Sequence, residues 1–259
     1  MAGTDFDSVK AVLLDLYGTV YRGSEPVAGA SEAVARLLKA GLIVRYLTNN
    51  SGAQPAEIAQ KLSAMGVRCE PDWVAGTGPA SAVMAKSKGF TQTHLVGEPG
   101  LWESFREAGV EALDDAPQPL LVTGICRAFD YRMMDRALQS LLSGAFWIAT
   151  NRDGSYPMEG GRFQPGAGAI VAALEAAAGR PPDLVIGKPE PLMIHQIGAS
   201  LGLEPREMVM VGDREDTDIE AGRRAGSHTW LVLTGYEKEL LPGCPGSADL
   251  LGLVEALGA

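Results

Sequence analysis

The chain has 259 residues, 46% of them hydrophobic and 21% charged, a balance that supports a buried core and excludes a disordered polypeptide. A net charge of −10 without any basic stripe excludes a nucleic-acid surface. No run approaches the roughly 20 apolar residues of a membrane span, and Met1–Lys10 lacks the apolar stretch of a signal peptide, so the expected location is cytoplasmic, with no membrane partner.

In chain order, Lys10–Leu14 is a short apolar run that ends at Asp15 and then Gly18, as expected for a strand buried on both faces of a parallel sheet. A helix is predicted over about Ala28–Ala40, closed by Gly41. Leu42–Leu47 reads as a second strand ending at Thr48-Asn49-Asn50-Ser51. Pro55 opens a helix running to Met65-Gly66.

The middle of the chain has strand-like runs at Thr93–Val96, Leu120–Thr123 and Phe146–Ala149. Its helix-like stretches are Leu101–Ala108, Tyr131–Leu142 and Ala167–Ala178. The last third returns to the first pattern. Leu184-Val185-Ile186 leads to Gly187-Lys188-Pro189, and a helix follows from about Pro191 to Leu201. Met208–Val211 is a strand ending at Gly212-Asp213, followed by a helix over about Thr217–Ala225 and a strand at His228–Leu233.

Alternating strands and helices predict an α/β fold with a parallel sheet. Residues 1–78 and 183–259 are expected to form one core domain, and 79–182 a smaller α/β domain inserted into it. Ligands of such sheets bind outside the carboxyl ends of the strands. Asp15, Thr48, Lys188 and Asp213 are all expected at that edge.

The chemistry of these four positions converges. A carboxylate such as Asp15 at a strand end is suited to be a nucleophile or a metal ligand. Asp213, Glu215, Asp216 and Asp218 place four acidic groups within six positions, which repel unless they face water or a cation. Glu215 and Asp216 suit the N-terminus of a helix. Mg²⁺ is the cation bound by a few carboxylates plus phosphate oxygens. An EF-hand is excluded, because Asp218 stands where that loop needs glycine. Lys188, held between glycine and proline, offers a fixed charge for phosphate, and Thr48 and Asn49 offer a hydroxyl and amides. Together they suit in-line phosphoryl transfer, in which positioning and charge neutralisation supply most of the catalysis.

Other chemistries lack their residues. Cys69, Cys126 and Cys244 are far apart and read as free thiols of a reducing compartment. With His94, His195 and His228 they give no zinc spacing. Neither a dinucleotide fingerprint, nor a Walker loop, nor a serine-hydrolase elbow is present.

The motifs Asp15-Leu16-Tyr17-Gly18-Thr19, Thr48-Asn49-Asn50-Ser51, Gly187-Lys188-Pro189 and Gly212-Asp213 with Thr217-Asp218 resemble those of the haloacid dehalogenase superfamily. Only 33 positions separate Asp15 from Thr48, and the insertion follows the second motif. In this the chain resembles the NagD-type subfamily, as do Thr150–Asp153 and Pro165–Ala169.

The resemblance implies a Rossmann-like core with an inserted α/β cap that selects a small phosphorylated substrate. It implies that Asp15 attacks phosphorus and forms an aspartyl phosphate. Mg²⁺ would be held by Asp15, the backbone carbonyl of Tyr17 and Asp213, with Asp218 in support. Thr48, Asn49, Asn50 and Lys188 would bind the substrate. A homodimer through the cap is a further expectation of the resemblance.

The chain departs from the family at Tyr17, where the phosphatases carry an aspartate that acts as general acid and base. Losing such a group typically costs about 10²–10⁴-fold. Tyr17 also matches the first motif of the L-2-haloacid dehalogenases, whose leaving halide needs no proton. Three readings follow: a phosphatase weakened at position 17, a displacement at carbon, or a catalytically impaired protein that binds phosphorylated ligands.

Overall fold

The computed structural model describes residues 6–115, 117–157 and 162–259, so the N-terminal stretch read above begins outside the described residues. The first elements are β1 (Ala11–Leu14), β2 (Tyr21–Arg22), β3 (Glu25–Pro26), α1 (Ala30–Lys39), β4 (Ile43–Thr48), α2 (Pro55–Ala64) and β5 (Val74–Gly76). Next come α3 (Thr77–Ser87), β6 (Gln92–Val96), α4 (Pro99–Ala108), β7 (Glu111–Leu113), β8 (Leu120–Thr123), α5 (Tyr131–Leu142) and β9 (Phe146–Ala149). They are followed by β10 (Ser155–Pro157), β11 (Phe163–Pro165), α6 (Ala167–Ala178) and β12 (Leu184–Val185). The chain closes with α7 (Leu192–Leu201), β13 (Met208–Gly212), α8 (Glu220–Ala225), β14 (His228–Val232), β15 (Gly246–Ser247) and α9 (Leu250–Ala256).

The chain divides into two units. The first comprises Met1–Thr48, Pro55–Ala75 and Lys188–Ala259; the second comprises Asn49–Gln54 and Gly76–Gly187.

The first unit is built on a six-stranded sheet in the order β15-β14-β13-β1-β4-β5. β1 runs parallel to both β4 and β13, with Leu14 level with Tyr46 on one side and Val211 on the other. Every residue of β1 and of β13 is buried, as the uninterrupted Ala-Val-Leu-Leu and Met-Val-Met-Val runs require of strands covered on both faces. α1 buries Ala30, Ala33, Val34 and Leu37, the three-and-four spacing of a one-sided apolar stripe.

The second unit has a five-stranded sheet in the order β12-β9-β8-β6-β7, with all of its recorded pairings parallel. Its core gathers Leu121, Trp147, Val171 and Leu174. The buried indole of Trp147 donates to Thr123 Oγ1 at 3.0 Å, which keeps its N–H satisfied away from water.

Two expectations are corrected here. The run Leu184–Ile186 was expected to add a strand to the core sheet and so deliver Lys188 to its edge. Instead β12 pairs with β9, Leu184 beside Ile148 and Val185 beside Ala149, and is an edge strand of the second sheet. A two-residue, half-buried strand carries no pattern that distinguishes one sheet from another. Likewise, the helix expected over Thr217–Ala225 opens earlier as a π-helical turn, Glu215–Ile219, before α8. In that wide turn the Ile219 N–H reaches back to the Arg214 carbonyl at 3.2 Å.

Candidate active site

β1 and β13 lie side by side at the middle of the first sheet, and the chain leaves that seam in opposite directions, through β4 and β5 on one side and β14 and β15 on the other. A seam of this kind opens a crevice at the carboxyl ends of its strands. Asp15 follows β1 directly, its N–H donating to the Val211 carbonyl at 2.8 Å, and Asp213 follows β13 directly. The π-helical turn then brings Asp218 back. Oxygens of Asp15, Asp213 and Asp218 all lie within 4.8 Å of one another.

Lys188 enters the same cluster. Its Nζ donates to Asp15 Oδ1 at 2.5 Å, to Asp218 Oδ1 at 2.6 Å and to the Leu47 carbonyl at 3.3 Å. The lysine is buried, with only 3% of its surface exposed. Burial works against its charge, but the two carboxylates outweigh that and hold the ammonium above the ordinary lysine value.

The carboxylates are strained electrostatically. Burial, reinforced by Asp218 and Asp213, pushes Asp15 from 3.8 up to about 8 in spite of Lys188. Burial and Asp218 push Asp213 up to about 6. One ammonium facing three carboxylates leaves the cluster short of positive charge. A hard, all-oxygen donor set of this size fits a small divalent cation.

The supporting backbone is shaped around Asp213. Its Oδ2 accepts the Tyr236 N–H at 2.6 Å. A Cβ on Gly18 would sit 2.3 Å from that oxygen and one on Gly235 only 1.8 Å from it, so neither position tolerates a side chain while Asp213 stays in place. Gly18 also adopts a positive φ of 83°. Its N–H donates to the Tyr21 carbonyl at 2.8 Å, and the Leu16 carbonyl accepts the Val20 and Tyr21 N–H groups at 2.8 and 3.0 Å, closing the turn that contains Tyr17. The Tyr17 ring meets the Tyr21 ring edge-on, with centroids 6.1 Å apart. Burial, then nearby Asp15 and Tyr17, hold the Tyr21 phenol up at about 12.

Thus Asp15, Lys188, Asp213 and Asp218 come together. Thr48 ends β4, beside the strand that carries Asp15, and is buried. Asn49 and Asn50 belong to the second unit. There the Asn49 amide donates to Asp153 Oδ2 at 3.0 Å, its carbonyl accepts from Asn151 Nδ2 at 2.7 Å, and Asn50 Oδ1 accepts the Gly52 N–H at 2.8 Å.

Comparison with known proteins bears on what this site is. Residues 12–111 match the haloacid dehalogenase-like hydrolase family, and residues 185–245 match the HAD-hydrolase-like family. An acid sugar phosphatase of Staphylococcus saprophyticus is 34% identical over 96% of this chain and 98% of that protein. The chain belongs to the haloacid dehalogenase-like hydrolases. A p-nitrophenyl phosphatase from Archaeoglobus fulgidus superposes on it with a TM-score of 0.90 at 32% identity, covering 96% of this chain and 99% of that one. A protein described as a putative nagD protein gives 0.90 at 34% identity, covering 98% and 99%. This haloacid dehalogenase-like hydrolase is therefore an enzyme of the NagD-type phosphatase group, with a Rossmann-like core and an inserted α/β cap domain. No helix among its described residues is long and apolar enough to cross a membrane.

Several contributors to the site of this hydrolase escape a reading of residue types. The Tyr236 and Arg214 N–H groups and the Leu47 carbonyl are backbone atoms, and their side chains give no signal for them. Gly235, directly after Thr234 beyond β14, is the kind of residue that so close an approach to Asp213 requires.

Proposed function

We propose that this chain is a Mg²⁺-dependent phosphatase that hydrolyses small phosphomonoesters or acyl phosphates through a phosphorylated Asp15. The observation that carries this reading is the buried cluster itself, a carboxylate at the end of a central strand bonded to a buried lysine beside two further carboxylates. Relatives named for sugar and nitrophenyl phosphates make a phosphorylated sugar the first substrate class to try.

In this reading an Asp15 oxygen attacks phosphorus in line, and the bond from phosphorus to the leaving oxygen breaks with its electron pair. The Lys188 ammonium neutralises charge on the phosphoryl oxygens as it builds. Thr48 supplies a hydroxyl to those oxygens. A divalent cation, bound by Asp15, the Tyr17 carbonyl and Asp213 with Asp218 in support, would neutralise the phosphoryl group further. Water then attacks the aspartyl phosphate and releases inorganic phosphate. Tyr17 stands where a carboxylate would exchange protons with leaving group and water. Turnover is therefore slow, and fastest for leaving groups that depart without a proton.

The test is initial-rate phosphate release from acetyl phosphate, p-nitrophenyl phosphate and a panel of sugar phosphates, with Mg²⁺ and with chelator. Release that requires Mg²⁺ is expected, with acetyl phosphate ahead of the sugar esters. Equal rates in chelator would sink the reading, as would a complete lack of turnover.

The raised carboxylates give a second expectation. Between about pH 4 and pH 8 the folded chain holds protons on Asp15 and Asp213 that the unfolded chain has lost. Stability in chelator should therefore fall as pH rises through that window and level off above it. Added Mg²⁺ should stabilise the protein most near its alkaline end, where both carboxylates are ionised. Thermal melts across that range, with and without Mg²⁺, check this; a melting temperature in chelator that rises with pH would refute it.

A further inference from the structure

The first unit is equipped unequally for the two halves of its reaction. Departure of a carboxylate or nitrophenolate from phosphorus needs no proton, so Asp15 and Lys188 suffice for the first half. The second half needs a group to take a proton from water. Asp213 and Asp218 do not supply it. Asp213 accepts the Tyr236 N–H, and Asp218 accepts both Lys188 and the Arg214 N–H. The two are also the cation-binding carboxylates of the reading above. The ionisable side chains of the turn that follows Asp15 are the phenols Tyr17 and Tyr21, packed edge to face.

Imidazole is missing as well. Among the described residues His195 lies exposed on α7, and His228 begins β14 with its ring 5.3 Å from that of Phe6. His94 is buried in the second unit, 3.4 Å from Ser140 Oγ.

An acyl or aryl phosphate asks for no proton as its leaving group departs, so only the discharge of phospho-Asp15 meets the want of a carboxylate at position 17.

We propose that the protein is a self-phosphorylating phosphoryl carrier toward acyl phosphates, and that phospho-Asp15 accumulates because its discharge is far slower than its formation. This rests on the phosphatase reading above and adds to it a persistent covalent state. The step balances. An Asp15 oxygen forms a bond to phosphorus, the bond from phosphorus to the acyl oxygen breaks, and the acetate anion leaves with the electron pair.

The experiment mixes the full chain with Mg²⁺ and acetyl phosphate, quenches in acid and weighs the intact protein. The expected result is one phosphoryl group per chain, removed by hydroxylamine, absent from Asp15→Asn, and formed with a matching burst of acetate. After the donor is removed, the adduct should decay about 10²–10⁴-fold more slowly than in Tyr17→Asp. Rapid Mg²⁺-dependent turnover with no adduct would overturn this proposal and leave the phosphatase reading standing, with a base supplied from elsewhere. An adduct that persists in Asp15→Asn would place the phosphoryl group on another residue and overturn it. Neither adduct nor turnover would overturn both readings together.

Discussion

Asp15→Asn will abolish phosphate release, lowering it by roughly 10⁴-fold or more, the scale on which removing a catalytic nucleophile acts. The amide keeps the size of the carboxylate but has no anionic oxygen to offer phosphorus. The comparison is clean because the fold should not suffer. Burial and the neighbouring carboxylates push Asp15 up to about 8, so its charge is costly to hold in the fold and the amide removes that cost. An uncharged amide beside Asp213 and Asp218 relieves repulsion within the cluster, and the loss of the bond to Lys188 is set against the bond Lys188 keeps with Asp218. The variant is expected to melt no lower than the parent at pH 7 in chelator. Residual Mg²⁺-dependent activity within tenfold of the parent would remove Asp15 as the nucleophile.

Tyr17→Asp should do the opposite. It restores a carboxylate two residues beyond Asp15, able to protonate an alkoxide leaving group and then to take a proton from water. Rates on sugar phosphates are expected to rise by about 10²–10⁴-fold, the usual worth of general acid–base catalysis. The rate of acetate release in the first turnover of acetyl phosphate should change little, because that leaving group asks for no proton. The substitution also has a structural cost. The edge-to-face contact with Tyr21 disappears, worth about 0.5–1.5 kcal/mol, and a fourth carboxylate joins a crowded cluster. A lower melting temperature in chelator with a higher rate in Mg²⁺ is the expected signature. An unchanged rate on alkyl esters would mean that position 17 plays no part in proton transfer.

What could be read before the structure follows from how strongly each segment is patterned. β1 and β13 were legible because unbroken apolar runs ending in aspartate are distinctive of central parallel strands. Their carboxylates therefore came with the strands. β12 was visible as a run but not as a member of the second sheet, since two half-buried residues have no preference of their own. α3 was not read: Gly78, Pro79 and Ser81 look like a loop, yet the helix buries mostly small residues, among them Ala80, Ala82 and Ala85. The π-helical turn was invisible too: Asp218 Oδ2 folds back to accept the Arg214 N–H at 3.1 Å, a local bond four residues apart that helix propensities do not encode. Lys188 was found for a sound chemical reason and an incorrect topological one.

The order of strands has a consequence for the growing polypeptide. Ala11 pairs with Met208, so β1 waits for one of its two neighbours until 197 further residues have been made. By then the ribosome has made every residue of the second unit, which ends at Gly187. Asp15 is made roughly 200 residues before its companions Asp213 and Asp218. A nascent chain therefore carries Asp15 long before the lysine and carboxylates that surround it, and translation that aborts in between leaves a fragment that holds Asp15 without its cluster.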